Sequence, residues 1–138
     1  MKESIRIFAV ALAVCLLLSL AACGAPESTE GTPAVTNLPE GVSYGIKVVD
    51  ADGNPIVGAM VGICQDVEGG ICYMPGITNE GGMAYFYENA IPVQENLKVR
   101  VLAAEGYDLP LDDTGDIRYT QIPNGTLYMI LSLNKLEN

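Results

Sequence analysis

From Tyr44 onward the chain is built of apolar runs of four to eight residues, each closed by a turn signal: Asp52-Gly53, Gly69-Gly70, Gly81-Gly82 and Asn124-Gly125. No stretch keeps a 3.6-residue period long enough for a helix, so this part is expected to form strands joined by tight turns. The spacing predicts strands near 44–50, 58–65, 70–74, 83–88, 96–103, 116–121 and 126–133. Seven short strands suit an all-β sandwich, in which every second side chain enters a shared core. Alternation turns Ile46, Val48, Ala59, Val61, Ile63, Ala84, Phe86, Leu97, Val99, Val101, Leu127, Met129 and Leu131 inward. Lys47, Lys98, Arg100 and Ser132 fall on the opposite faces, where water solvates them.

The beginning of the chain has another texture. Lys2 and Arg6 precede an uncharged apolar run from Ile7 to Ala22, the make-up of a secretory signal. The run ends in Leu20-Ala21-Ala22-Cys23-Gly24, which resembles the lipobox of bacterial lipoproteins: a Leu, two small residues and the Cys that receives diacylglycerol. The resemblance implies that residues 1–22 are a lipoprotein signal peptide and that Cys23 becomes a lipidated N-terminus on the outer face of the bacterial cytoplasmic membrane. A plain membrane anchor is the competing reading, since ~20 apolar residues just cross a bilayer; Gly24 and Pro26 interrupt that span. Residues 24–41, GAPESTEGTPAVTNLPEG, offer too few large apolar groups to order themselves. With the lipidated Cys23 they read as a flexible tether, 23–41, with an end-to-end distance of roughly 25 Å, ahead of a domain spanning 42–138.

Composition removes whole classes of function. The chain has no His, and with it go the commonest general base, the commonest metal ligand and the usual pH switch. The net charge of −10 repels nucleic-acid phosphates, so nucleic acid is not an expected partner. Without residues 1–22, which hold two basic groups and one acidic one, the remainder is more acidic still.

Three landmarks span most of the domain: Val48-Val49-Asp50-Ala51-Asp52-Gly53-Asn54-Pro55-Ile56-Val57-Gly58-Ala59-Met60-Val61, then Thr78-Asn79-Glu80-Gly81-Gly82-Met83-Ala84-Tyr85-Phe86, then Val99-Arg100-Val101-Leu102-Ala103-Ala104-Glu105-Gly106-Tyr107. This series resembles the carboxypeptidase regulatory-like domain and its Cna-B-like relatives, which implies a seven-stranded prealbumin-like, Ig-like β-sandwich of secreted and surface proteins. Each landmark is a strand ending in a turn, with Gly58 placed where a side chain would crowd the second strand and Gly106 before a Tyr that packs back. Two branches of the resemblance imply chemistry that these residues do not carry. Cna-B-type isopeptide bonds need a Lys and a buried acid where this chain has Val48 and Arg100, and alternation turns Lys47 outward, away from Asn134 as a bonding partner. Transthyretin-like hydroxyisourate hydrolases need His and a Tyr-Arg-Gly-Ser ending, both absent.

Setting aside Cys15 in the signal and Cys23 at the lipid leaves Cys64 and Cys72, which in an exported chain form a disulfide across the turn between them. A redox pair is the alternative, disfavoured by the spacing and by Asp66 and Glu68 lying between the two thiols. Asp50-Ala51-Asp52-Gly53-Asn54 begins like a calcium loop, but Pro55 and Val61 stand where Gly and Glu are required, so it reads as a polar turn. Asp112, Asp113 and Asp116 form either a weak Ca²⁺ contact or, more simply, a solvated acidic turn. Neither a metal nor a cofactor is expected, and no catalytic residue is assigned. Tyr85, Tyr87 and Tyr128 are left on outward faces and are the candidate ligand contacts, since Tyr joins an apolar ring to a polar tip. Ordinary cross-strand pairing is the alternative for these tyrosines. The expected function is that of a non-enzymatic, lipid-anchored surface module for binding, adhesion or spacing, with a surface protein or glycan as ligand. The rival is an accessory solute- or polysaccharide-binding subunit of a transporter or glycan-degrading system.

Overall fold

The computed structural model describes residues 37–137. The signal segment 1–22, Cys23 and the tether up to residue 36 lie outside the described residues. The described part is all-β: β1 (Val42–Asp50), β2 (Met60–Gln65), β3 (Gly76–Ile77), β4 (Met83–Tyr87), β5 (Leu97–Ala103), β6 (Tyr107–Asp108), β7 (Thr120–Ile122) and β8 (Tyr128–Lys135). These form two four-stranded sheets, in the orders β4-β1-β8-β6 and β3-β2-β5-β7. All pairings are antiparallel except that of β1 with β8, which is parallel.

One core lies between the sheets. Tyr44, Ile46 and Val48 of β1, with Ala84, Phe86 and Leu133 from the same sheet, meet Val61, Ile63, Leu97, Val99, Val101 and Ile122 of the other. Ile56, Ala59 and Ile91 close its ends from the loops. Tyr44 is in step with Ile46 and Val48 and enters the core with them, where its hydroxyl donates to Gln94 O at 3.0 Å and accepts from Gln94 N at 2.9 Å. That pairing satisfies the one polar atom that a buried tyrosine brings with it. Thr78 is another buried connector: its hydroxyl donates to Ile56 O and accepts from Ala59 N, tying the loop before β2 to the segment before β4.

The strand expectations hold at six of seven places to within a few residues, and the exceptions have local causes. Residues 70–74 are not a strand. Cys72 makes an isolated bridge to Cys64, and the short β3 follows at Gly76 once Pro75 has passed. The stretch 116–121 divides into a Leu111–Ile117 bridge and the three-residue β7. With β6 added, eight strands rather than seven are present among the described residues. The last strand needs a correction as well. Leu127 is exposed and Met129 and Leu131 are only half-buried, while Leu133 is the residue of β8 that reaches the core. The side assigned by alternation is right, but the facing sheet ends in a three-residue strand, which leaves the early part of β8 without cover. Gly58 also differs in its reason. A Cβ there would meet nothing within 4 Å, so the glycine answers to its φ of 76°, a left-handed backbone, and not to crowding.

Candidate functional site

The outer face of the β4-β1-β8 sheet is set by register. Gly45 pairs with Tyr85 on one side and with Tyr128 on the other, so a tyrosine, a glycine and a tyrosine form one row across three strands. The next row is Met83, Lys47 and Ile130. Tyr85 and Tyr128 are half-buried, whereas Tyr87, two residues further along β4, is 51% exposed and Ile130 is 49% exposed. Burial pushes the Tyr128 phenol up from its ordinary value, and the neighbouring Tyr85 adds to the shift. The structure therefore unites two of the three candidate contacts around a glycine and leaves the third, Tyr87, beside Gly41, Glu88 and Asn89 at the end of the strand.

The sequence reading missed Leu38, assigned to the tether. Its Cδ2 lies 2.7 Å from where a Cβ on residue 45 would stand, with Met83 Cε at 3.2 Å and Tyr128 Cδ2 at 3.5 Å. Gly45 is thus the floor of a slot that receives the chain's own Leu38, and a Pro39 carbonyl accepting from Val42 N turns the chain from there into β1. A glycine in the middle of an apolar strand is the sequence signal that could have shown this close approach.

The opposite outer face, on the β2-β5-β7 sheet, carries the staple. Cys64 and Cys72 form a disulfide. The turn closes as expected, with Gln65 N donating to Ile71 O and Tyr73 N donating to Ile63 O. Cys64 is buried and Cys72 exposed. Because disulfide sulfurs have no proton, the Tyr119 hydroxyl is the donor toward Cys64 Sγ, 3.4 Å away. The Tyr119 ring has two cations on it, Lys98 Nζ at 4.6 Å and Arg100 Cζ at 4.3 Å from its centroid, and Lys98 also pairs with Asp66 at 3.3 Å. Strand pairing sets Lys98 directly across from Cys64. The cations around the disulfide were invisible in the local sequence, which shows only Asp66 and Glu68 between the cysteines.

The acidic turns are self-contained. Asp50 is buried, and its Oδ1 accepts from the backbone amides of Asp52 and Asn54, while Lys135 lies 3.7 Å from Oδ2. The Asn54 amide foremost holds the Asp50 carboxyl below its ordinary value, against the opposing effect of burial. Asp112 caps its own turn in the same way, accepting from Thr114 Oγ1 and from the amides of Thr114 and Asp116. The Thr114 hydroxyl is the main reason its carboxyl also sits low. Among the described residues no group of three or more Cys, Asp or Glu is placed to hold a metal ion, and the contacts of Asp112 and Asp116 lie within their own turn.

No protein-family model matches this chain, and no curated protein matches it. Among solved structures it is similar to the Bacillus anthracis TIE protein, at 18% identity and a TM-score of 0.49, over 69% of this chain and 16% of that one. It is also similar to the major plantain pollen allergen Pla l 1, at 13% identity and a TM-score of 0.44, over 67% of this chain and 93% of that one. The chain spans about a sixth of the length of the first of these structures, as the 16% coverage states.

Proposed function

We propose that this chain is an exported, lipid-anchored display module that binds a ligand without transforming it, using the outer face around Tyr85, Tyr87 and Tyr128. In this reading residues 1–22 are a signal peptide, Cys23 carries the lipid, 23–41 tether the domain to the outer face of the cytoplasmic membrane, and the sandwich is a carboxypeptidase regulatory-like domain of the prealbumin-like class. The observation that carries the binding role is the apolar row across three strands with exposed Tyr87 and Ile130 at its margins. Large apolar side chains grouped on a solvent face mark interaction surfaces. Export is supported by the Cys64–Cys72 disulfide, a bond that persists in oxidising compartments. The lack of any His in the chain supports binding over turnover.

The test has two arms in cells expressing the full chain. Cys23→Ala is expected to leave the precursor uncleaved or to release protein without lipid, and labelled palmitate incorporating equally into the variant would remove the lipid anchor from the proposal. Tyr87→Ala and Tyr128→Ala are expected to weaken capture on glycan arrays or of envelope proteins by about 1–2 kcal/mol each. Capture that ignores both substitutions would place the contact elsewhere, and turnover of a captured ligand would end the non-enzymatic reading.

A further inference from the structure

A cavity of about 260 Å³ opens on the side of the sandwich between β7 and β8. It exists because the strands that should close that side are short. β6 pairs only with Asn134 and Lys135 of β8, and β7 holds three residues, so β8 has no strand beside it on that side from Tyr128 to Leu133. Arg100 and Arg118 line the opening, with Thr120 and Ser132 bringing hydroxyls and Pro110 and Ile130 apolar surface.

Two cations at one cavity are unexpected in a chain of net charge −10. Residues 37–137 hold only Lys47, Lys98, Arg100, Arg118 and Lys135 as basic side chains. Among the described residues the ion pairs are Lys98–Asp66 and Lys135–Asp50, so neither arginine has a carboxylate partner within 4.0 Å. Both are nevertheless fixed. Arg118 Nη2 donates to Leu111 O at 3.0 Å, and its backbone N donates to Pro110 O at 2.7 Å, which leaves most of the guanidinium donors free. Arg100 Cζ lies 4.3 Å from the centre of the Tyr119 ring, and among the described residues its guanidinium donates no hydrogen bond and has no ion pair, so its N–H groups are unspent.

We propose that this cavity binds the carboxylate of a small ligand. The planar fork of arginine matches a carboxylate with two parallel hydrogen bonds, and the flanking hydroxyls are suited to neighbouring polar groups. The chain's negative field repels an incoming anion in proportion to its charge, which favours a single carboxylate over a phosphate dianion. The volume holds a unit the size of one sugar acid or one terminal amino acid. This site adjoins the tyrosine face at Ile130 but does not depend on that face having a ligand.

The test titrates the purified full-length protein with glucuronate and with N-acetylalanine, following the arginine Nε–Hε resonances. Glucose, N-acetylalanine amide and inorganic phosphate serve as comparisons. At least one carboxylate is expected to give a saturable shift at Arg100 and Arg118, and which one does so identifies its source as a sugar acid or a peptide end. Arg118→Ala is expected to weaken that binding by about tenfold or more. Arg100→Lys, which keeps the charge and loses the fork, is expected to weaken it as well. The proposal is overturned if neither carboxylate saturates, if the uncharged counterparts bind equally, if phosphate binds more tightly than both, or if both variants bind as the parent does.

Discussion

The two outer faces of this sandwich cover the same core and are held in opposite ways. On the β2-β5-β7 side the surface is fastened by a covalent bond and by charge: the Cys64–Cys72 disulfide, Tyr119 against it, and Lys98 and Arg100 on the Tyr119 ring. On the β4-β1-β8 side it is fastened by an apolar latch, Leu38 over Gly45 between tyrosines. The inner faces of β1, β2, β4 and β5 follow from alternation. The outer faces do not, and it is there that a common scaffold acquires its individual chemistry.

The comparison is tested most strongly by removing the staple. Replacing both cysteines, Cys64→Ser with Cys72→Ser, is expected to lower stability by about 2–3 kcal/mol, because the short loop regains its freedom in the unfolded chain. Urea unfolding should show the midpoint shift. A loss under about 0.5 kcal/mol would mean that the charged cluster holds this face by itself.

The latch comes next. Gly45→Val is expected to cost about 1–2 kcal/mol by driving Leu38 and Met83 from the slot. Adding Leu38→Ala should recover part of that loss, because the two residues compete for one space. A double-mutant cycle measures the coupling, and strict additivity would show that Leu38 is not seated on Gly45 in solution.

The smallest effect is expected at Tyr119. Tyr119→Leu removes the cation–π contacts and the hydroxyl beside the disulfide, for about 0.5–1 kcal/mol. The loss should shrink in high salt if charge is its source. A loss matching that of the cysteine pair would reverse the ranking of covalent and ionic contributions on this face.

Much of the sandwich was legible in the sequence. Ile46, Val48, Ala59, Val61, Ile63, Ala84, Phe86, Leu97, Val99 and Val101 were assigned inward by alternation and are all buried. The disulfide followed from compartment and count. Alternation failed at Leu127, because a two-residue period gives the side a residue faces and not whether anything lies opposite it. At the surface, the Tyr85–Gly45–Tyr128 row and the Lys98–Cys64 pairing depend on register between strands distant in sequence, which no local pattern encodes. The meeting of Arg100 and Arg118 at one cavity depends on β6 and β7 stopping short, and propensity does not fix strand ends to that accuracy.

The parallel pairing of β1 with β8 has a consequence in time. The hydrogen bond from Ser132 to Asp50 O joins residues 82 apart, and it lies at the centre of its sheet. Closing so long a loop carries its entropic cost before any of the contacts return it, so this pairing is expected to be slow to form. Until β8 has been synthesised, the first described strand has no neighbour on one side and the core lacks Leu133. A polypeptide in that condition is still threadable, which suits a chain that we propose crosses a membrane before it folds.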